Sequence, residues 1–155
     1  MSRSQEFSLP QESRGVLLSV KPRFSELIVA GTKRVEFRRT WALEEVGCVA
    51  VYASSPIQNI VAVVEVESIV RASPTALWKI SKVRGGGLTL KELQEYFDGK
   101  SQGVAVLLGR RWLPSKPLEP NSMVPNFRAP QSFRYLTAAE VRRLGKKVFL
   151  KEDVV

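Results

Sequence analysis

Short apolar runs, separated by glycine, proline and charge, recur along this chain, and their spacing reads as strands alternating with short helices. Residues 16–20 (VLLSV) form a compact apolar run bounded by Gly15 and Lys21-Pro22, which predicts a buried strand. Pro22 sits where a first helical turn tolerates it, Phe24, Leu27 and Ile28 recur at helical spacing, and Gly31 supplies a stop, so a helix is expected over Pro22–Ala30. In residues 33–38 apolar and charged positions alternate, placing Val35 and Phe37 on one side of a strand and Arg34, Glu36 and Arg38 on the other. Two β-rich runs, 48–52 and 60–66, flank the turn chemistry of Ser54-Ser55-Pro56. Ser73-Pro74 opens a helix through Trp78 to about Lys82, closed by Gly85-Gly86-Gly87, which reads as a flexible hinge. Thr89 with Glu92 makes a capping box for a helix bearing Leu90, Leu93 and Phe97, and residues 103–108 read as the last central strand.

Five prolines between Pro114 and Pro130 then break regular structure and predict an ordered, wrapping loop. Thr137 and Glu140 form a second capping box, opening a short helix toward Gly145, and residues 146–151 end the pattern as an edge strand or a tail. The division expected is a polar tail over 1–14, a folded domain over 15–136 and a basic extension over 137–155, packed on or flanking the domain. A small barrel-like sheet with helices at its rim accommodates this order.

Composition narrows the chemistry. The 155 residues contain no His and one Cys, so imidazole bases, Ser-His or Cys-His nucleophiles and His-ligated metals are excluded, as are internal disulfides and Cys clusters. No metal site or cofactor is expected. The longest apolar stretch, near residues 60–64, falls far short of the roughly 20 residues of a membrane span, and the first six residues lack a signal-peptide core. A cytoplasmic protein with no membrane partner is the expectation.

The formal charge is +9, with 24 Lys and Arg against 15 Asp and Glu, which favours a polyanionic partner and nucleic acid first. Ten basic residues stand against four acidic ones after Gly109. A second cluster, Arg14, Lys21, Arg23, Lys33, Arg34, Arg38 and Arg39, converges by topology: Lys21 ends a strand at a helix start, and Lys33, Glu36 and Arg38 follow the returning glycine. Glu36 has two readings, a counter-charge for Lys33 or Arg38 and an acceptor for the amino group of a base. Ser54 and Ser55 suit either a turn or a phosphate and ribose contact. Trp41, Tyr52, Trp78, Trp112, Phe133 and Tyr135 are stacking candidates; Tyr135, beside Arg134, is preferred, while Trp78 reads as a packing residue and Cys48 as a buried small one.

The run AGTKRVEFRR at residues 30–39 resembles the GxKxxExR signature of the ASCH domain, a PUA-like family linked to RNA. The opening LLSVKPRFSELIVAGTK, YASSP at 52–56, the VVEVESIV strand, Leu77-Trp78, YFDGK from Tyr96 and PQSFRYL from Pro130 resemble, in the same order, the branch described as predicted transcriptional regulators with a PUA-like domain. The resemblance spans residues 15–136. It implies an α+β fold, a small β-barrel with short helices around a cleft lined by the signature loop. One branch of the family resembles amidohydrolases of acetylated cytidine nucleosides that use a lysine, a threonine nucleophile and a later glutamate. Here Lys33 matches the lysine, but Glu36 stands in the place of the threonine and Gly85-Gly86-Gly87 near that of the glutamate. Ribonuclease activity, also attributed to ASCH proteins, would without His rest on Lys33 and Glu36.

The resulting expectation is an RNA-binding or modified-nucleotide-binding protein, regulatory in role. Its ligand is single-stranded or structured RNA, or a free nucleotide, held in a cleft by Lys21, Arg23, Lys33, Glu36, Arg38, Arg39, Ser54, Ser55, Arg134 and Tyr135. The alternatives are a metal-independent hydrolase acting on RNA or acylated cytidine, and a protein-interaction module using the proline-rich segment.

Overall fold

The continuous run of branched apolar residues after Gly15 yields strand β1 (Arg14–Val20), buried along Val16, Leu17 and Leu18. The computed structural model describes Phe7 and residues 13–152, so the expected polar tail falls almost wholly outside the described residues. Pro22 at the first helical position and Gly31 in the left-handed conformation (φ 86°) bound helix α1 (Pro22–Ala30), as the pattern predicts. Strand β2 (Val35–Arg38) follows, then β3 (Val46–Ala53), parallel to β1, and the long antiparallel pair β4 (Asn59–Ala72) and β5 (Gly103–Pro114).

Helices α2 (Pro74–Arg84) and α3 (Leu90–Tyr96) connect β4 to β5. Ser73 caps α2 by accepting from the Ala76 amide, and the Thr89–Glu92 capping box at α3 is present in both directions. After β5 come the single-turn α4 (Pro120–Met123), β6 (Phe133–Leu136), α5 (Ala138–Gly145) and β7 (Val148–Lys151). The second capping box, Thr137 with Glu140, forms as spaced. Residues 148–151 pair antiparallel with β5, so the C-terminal segment is a strand there.

The strand order is β2-β5-β4-β3-β1-β6, with β7 on the far half of β5. The expected barrel is not formed: among the described residues the sheet is not closed, because β2 and β6 share no ladder. Side chains tie β2 to the end of β1 instead. Arg38 of β2 donates to the Ser19 carbonyl at 2.7 Å, and the Ser19 hydroxyl donates to the Pro130 carbonyl at 2.6 Å. Strands β4 and β5 also run beyond the expected 60–66 and 103–108. Irregularities between Val64 and Ser68 interrupt the alternation that marks a strand in sequence.

Three apolar clusters hold the layers. One joins β1, β3 and β4 to Ile28 of α1; a second unites Leu17, Tyr52 and Trp112 with Leu144 and Val148; the third packs Leu77, Leu93 and Phe97 against Val35, Phe37 and Ala105. The proline-rich stretch contributes Met123 and Val124 to the second cluster, as an ordered wrapping segment must. Trp78 lies against the third. No helix among the described residues is long and apolar enough to cross a membrane.

Candidate functional site

A cavity of about 800 Å³, a size suited to small organic ligands, opens where the end of β1 faces β2 and α3. Five segments build its wall: the end of β1, the start of α1, β2, the β3–β4 turn and α3, with residues 129–131 closing the side toward β6.

The floor is the signature loop. Gly31 is required twice, by its positive φ and because a Cβ there would lie 2.7 Å from the Arg111 guanidinium. Buried Arg111 donates from Nε to the Val29 carbonyl at 2.9 Å and so satisfies the end of α1. The chain then turns back, and Lys33 enters the interior at 3% exposure. Its Nζ donates to the Gly86 carbonyl at 2.6 Å, pairs with Glu36 Oε1 at 3.4 Å and lies 5.1 Å and 5.7 Å from the Phe24 and Phe37 ring centres. Burial, only partly offset by Glu36, holds the Lys33 ammonium below its ordinary range. Glu36 Oε2 accepts from Arg38 at 2.8 Å, so one carboxylate serves two cations.

Alternation therefore assigns the faces of β2 correctly but not their exposure. Glu36 and Arg38 of the charged side line the cavity floor, with Glu36 at 7% exposure, whereas Arg34 is exposed outside it. The glycine run is also corrected: it is a close-packed seat, not a hinge. A Cβ at Gly85 would fall 2.0 Å from the Thr32 carbonyl oxygen, and one at Gly86 1.9 Å from Ser81 Oγ. This approach brings the Gly86 carbonyl to Lys33.

The rim carries Lys21, which precedes α1, and Arg23 on α1, together with Ser54 and Ser55. Arg23 binds Glu92 of α3 and the Gly87 carbonyl. Phe24, Tyr52 and Tyr96 supply aromatic surface, and Gln58 and Gln131 supply amides. Tyr52 is buried against Phe127, with ring centres 5.0 Å apart, and burial and Glu119 push its phenol up.

The remaining expected residues lie elsewhere. Arg39 donates to the Tyr96 and Asp98 carbonyls and ties β2 to the end of α3. Arg134 pairs with Glu140 at 2.9 Å. Tyr135 lies under Arg14, 4.5 Å from ring centre to guanidinium, and accepts at its hydroxyl from the Glu44 amide. Neither Arg134 nor Tyr135 lines the cavity. Phe24, Gln58, Tyr96 and Gln131 were not signalled by sequence, because helix spacing and turn composition mark them only as packing or surface positions. Among the described residues no group of three His, Cys, Asp or Glu side chains is placed to hold a metal ion.

No family model matches the chain. It is similar to a protein of Zymomonas mobilis subsp. mobilis named ASCH domain-containing ribonuclease, 29% identical over 137 residues that cover 86% of this chain and 91% of the relative. The crystal structure of ASCH from Zymomonas mobilis matches with a TM-score of 0.76 at 27% identity, covering 86% of this chain and 95% of that one. A serine-to-alanine variant of the Zymomonas mobilis protein matches with a TM-score of 0.74 at 26% identity, covering 90% of this chain and 99% of that one.

Proposed function

We propose that this chain, as a protein of the ASCH domain family, binds RNA, taking an unpaired nucleotide into the cavity lined by the end of β1, β2 and α3. The observation that carries this reading is the composition of the cavity wall. Cations (Lys21, Arg23, Lys33, Arg38), aromatic rings (Phe24, Tyr96) and hydroxyls (Ser54, Ser55) share a space of about 800 Å³, matching the phosphate, base and ribose of one or two nucleotides. Single-stranded segments, loops and ends, whose bases are free to splay out, are the ligands this reading expects. Half-exposed Tyr96 offers a stacking face at the rim. The floor serves by field and shape, because Glu36 is already held by Lys33 and Arg38.

The test is a titration of a labelled single-stranded RNA across a salt series. Each neutralised phosphate of a single strand contributes about 0.7 to the slope of log K against log salt, so a slope near −2 is expected from contacts at Lys21, Arg23 and the floor. A flat plot, or no binding at low salt, overturns the reading.

Hydrolysis of RNA is a second reading, favoured by the ribonuclease name of the Zymomonas mobilis relative. Proton transfer would then fall to Lys33 and Glu36, and both are engaged in the floor network. Product formation on a gel, lost in Lys33→Ala while binding persists, would move the protein into this class.

A further inference from the structure

Arg23 leaves α1 at the cavity rim with its guanidinium 4.8 Å from the Phe24 ring centre. Both terminal nitrogens meet one carboxylate: Nη1 lies 2.5 Å from Glu92 Oε2 and Nη2 2.9 Å from Glu92 Oε1. This two-pronged pattern is also the one by which a guanidinium holds a phosphate. Arg23 and Glu92 both line the cavity. Of the charged side chains in that wall, Lys21, Arg23, Lys33 and Arg38 are opposed by Glu36, Glu92 and Glu95. The acids thus cancel most of the positive charge that an anionic ligand would meet. Glu36 is committed at the floor, whereas Glu92 sits at the mouth, where a ligand enters.

We propose that Arg23 is the phosphate seat of this cavity and that Glu92 competes for it, as an internal carboxylate that a ligand phosphate displaces. The inference rests on the RNA reading for its ligand, but its chemistry requires only a phosphate oxyanion. Glu92 is free to yield because its place in α3 does not depend on Arg23: the same carboxylate accepts from the Thr89 amide at 2.9 Å in the capping box. The competition also operates at every physiological pH, since the Arg23 fork holds the Glu92 carboxyl down to about 2. A phosphate brings more acceptor oxygens and more charge than the carboxylate, and Lys21 stands beside the seat at the same rim to share it. A mere staple between α1 and α3 would use the same two residues, so the two roles must be told apart by binding, not by stability.

Glu92→Gln separates them. Glutamine at this position still accepts from the Thr89 amide, so α3 keeps its start. The probes are inorganic pyrophosphate and a ten-nucleotide single-stranded RNA, titrated against the full chain, Glu92→Gln, Arg23→Gln and the double variant. Glu92→Gln is expected to tighten both probes by about 2–5-fold, the range of an exposed charge pair, and the double variant to lose that gain. Arg23→Gln alone is expected to weaken pyrophosphate binding, because it removes the seat and leaves the Glu92 charge unopposed. Unchanged or weaker binding in Glu92→Gln, or a gain that survives in the double variant, overturns the proposal. An Arg23-dependent gain for pyrophosphate without RNA binding in any variant retains this seat and rejects the RNA reading. Salt-dependent RNA binding that Glu92→Gln does not improve does the reverse.

Discussion

The floor and the rim of the cavity use the same side chains, Lys or Arg against Glu, to opposite ends. At the floor Lys33, Glu36 and Arg38 are removed from water, with side-chain exposures of 2%, 9% and 12%. Their attraction acts in a medium that screens weakly, and it must offset a desolvation cost of several kcal/mol per ion. At the rim Arg23 and Glu92 retain 54% and 36% exposure. Water and salt screen that pair, and such contacts contribute little to stability. The floor trio is thus part of the architecture: it joins β2 to β1 through Arg38 and Ser19, and β2 to the glycine loop through Lys33 and Gly86. The rim pair can open at small cost, which is what a binding surface requires. Equal charge in a sequence therefore carries unequal meaning, and burial decides which.

Removing Glu36 should show the largest difference between the two regions. Glu36→Ala leaves two buried cations without a counter-charge and is expected to lower stability by about 3–5 kcal/mol in chemical denaturation. Glu92→Gln should move the same midpoint far less, and a comparable loss at both positions would abolish the distinction between floor and rim. Gly86→Ala ranks next. Its Cβ would lie 1.9 Å from Ser81 Oγ in a close-packed turn, so a loss of about 1–3 kcal/mol is expected, with partial recovery when Ser81→Ala is added. Full stability of Gly86→Ala in a thermal melt would restore the hinge reading.

A pH experiment sharpens the rim. The Glu92 carboxyl is held at about 2 in the folded protein against an ordinary 4.5, mainly by the hydrogen bonds from Arg23. The unfolded chain therefore takes up this proton first as pH falls. The stability the pair contributes is present above pH 4.5 and is lost progressively from there toward pH 2. Glu92→Gln should remove that part of the acid limb, read as a shallower fall of melting temperature over the same window. The smallest effect concerns Cys48, buried in β3 and outside both regions. Burial pushes its thiol up to about 12, so a thiol reagent at pH 8 should leave the native protein unlabelled and react once it is unfolded. Rapid native labelling would show that β3 opens.

Much of the local structure was legible in the chain. Pro22 and Gly31 bracket α1 at the expected residues, and both capping boxes formed where Thr and Glu are spaced three apart, because these signals depend on neighbours in sequence alone. The convergence of Lys21, Lys33, Glu36 and Arg38 was legible for a related reason: a strand, a short helix and a returning strand leave few places for the intervening residues. Arg134 and Tyr135 illustrate the limit. They were expected at the cleft, yet β6 pairs with β1 so that they meet Glu140, Arg14 and Glu44 rather than the cavity. Glu92 was read only as a capping residue, since nothing local reveals that Arg23, 69 positions earlier, will meet it.

The sequence by itself determined the element types, their caps, the absence of imidazole chemistry and the positive charge. All of these follow from residue identity and short-range spacing. Only the tertiary structure decided that the sheet stays open between β2 and β6, that the charged face of β2 is buried, and that three glycines serve close approach. These outcomes depend on which distant segments share a volume. There, exclusion of water changes the energy of a charge far more than any neighbour in the chain can.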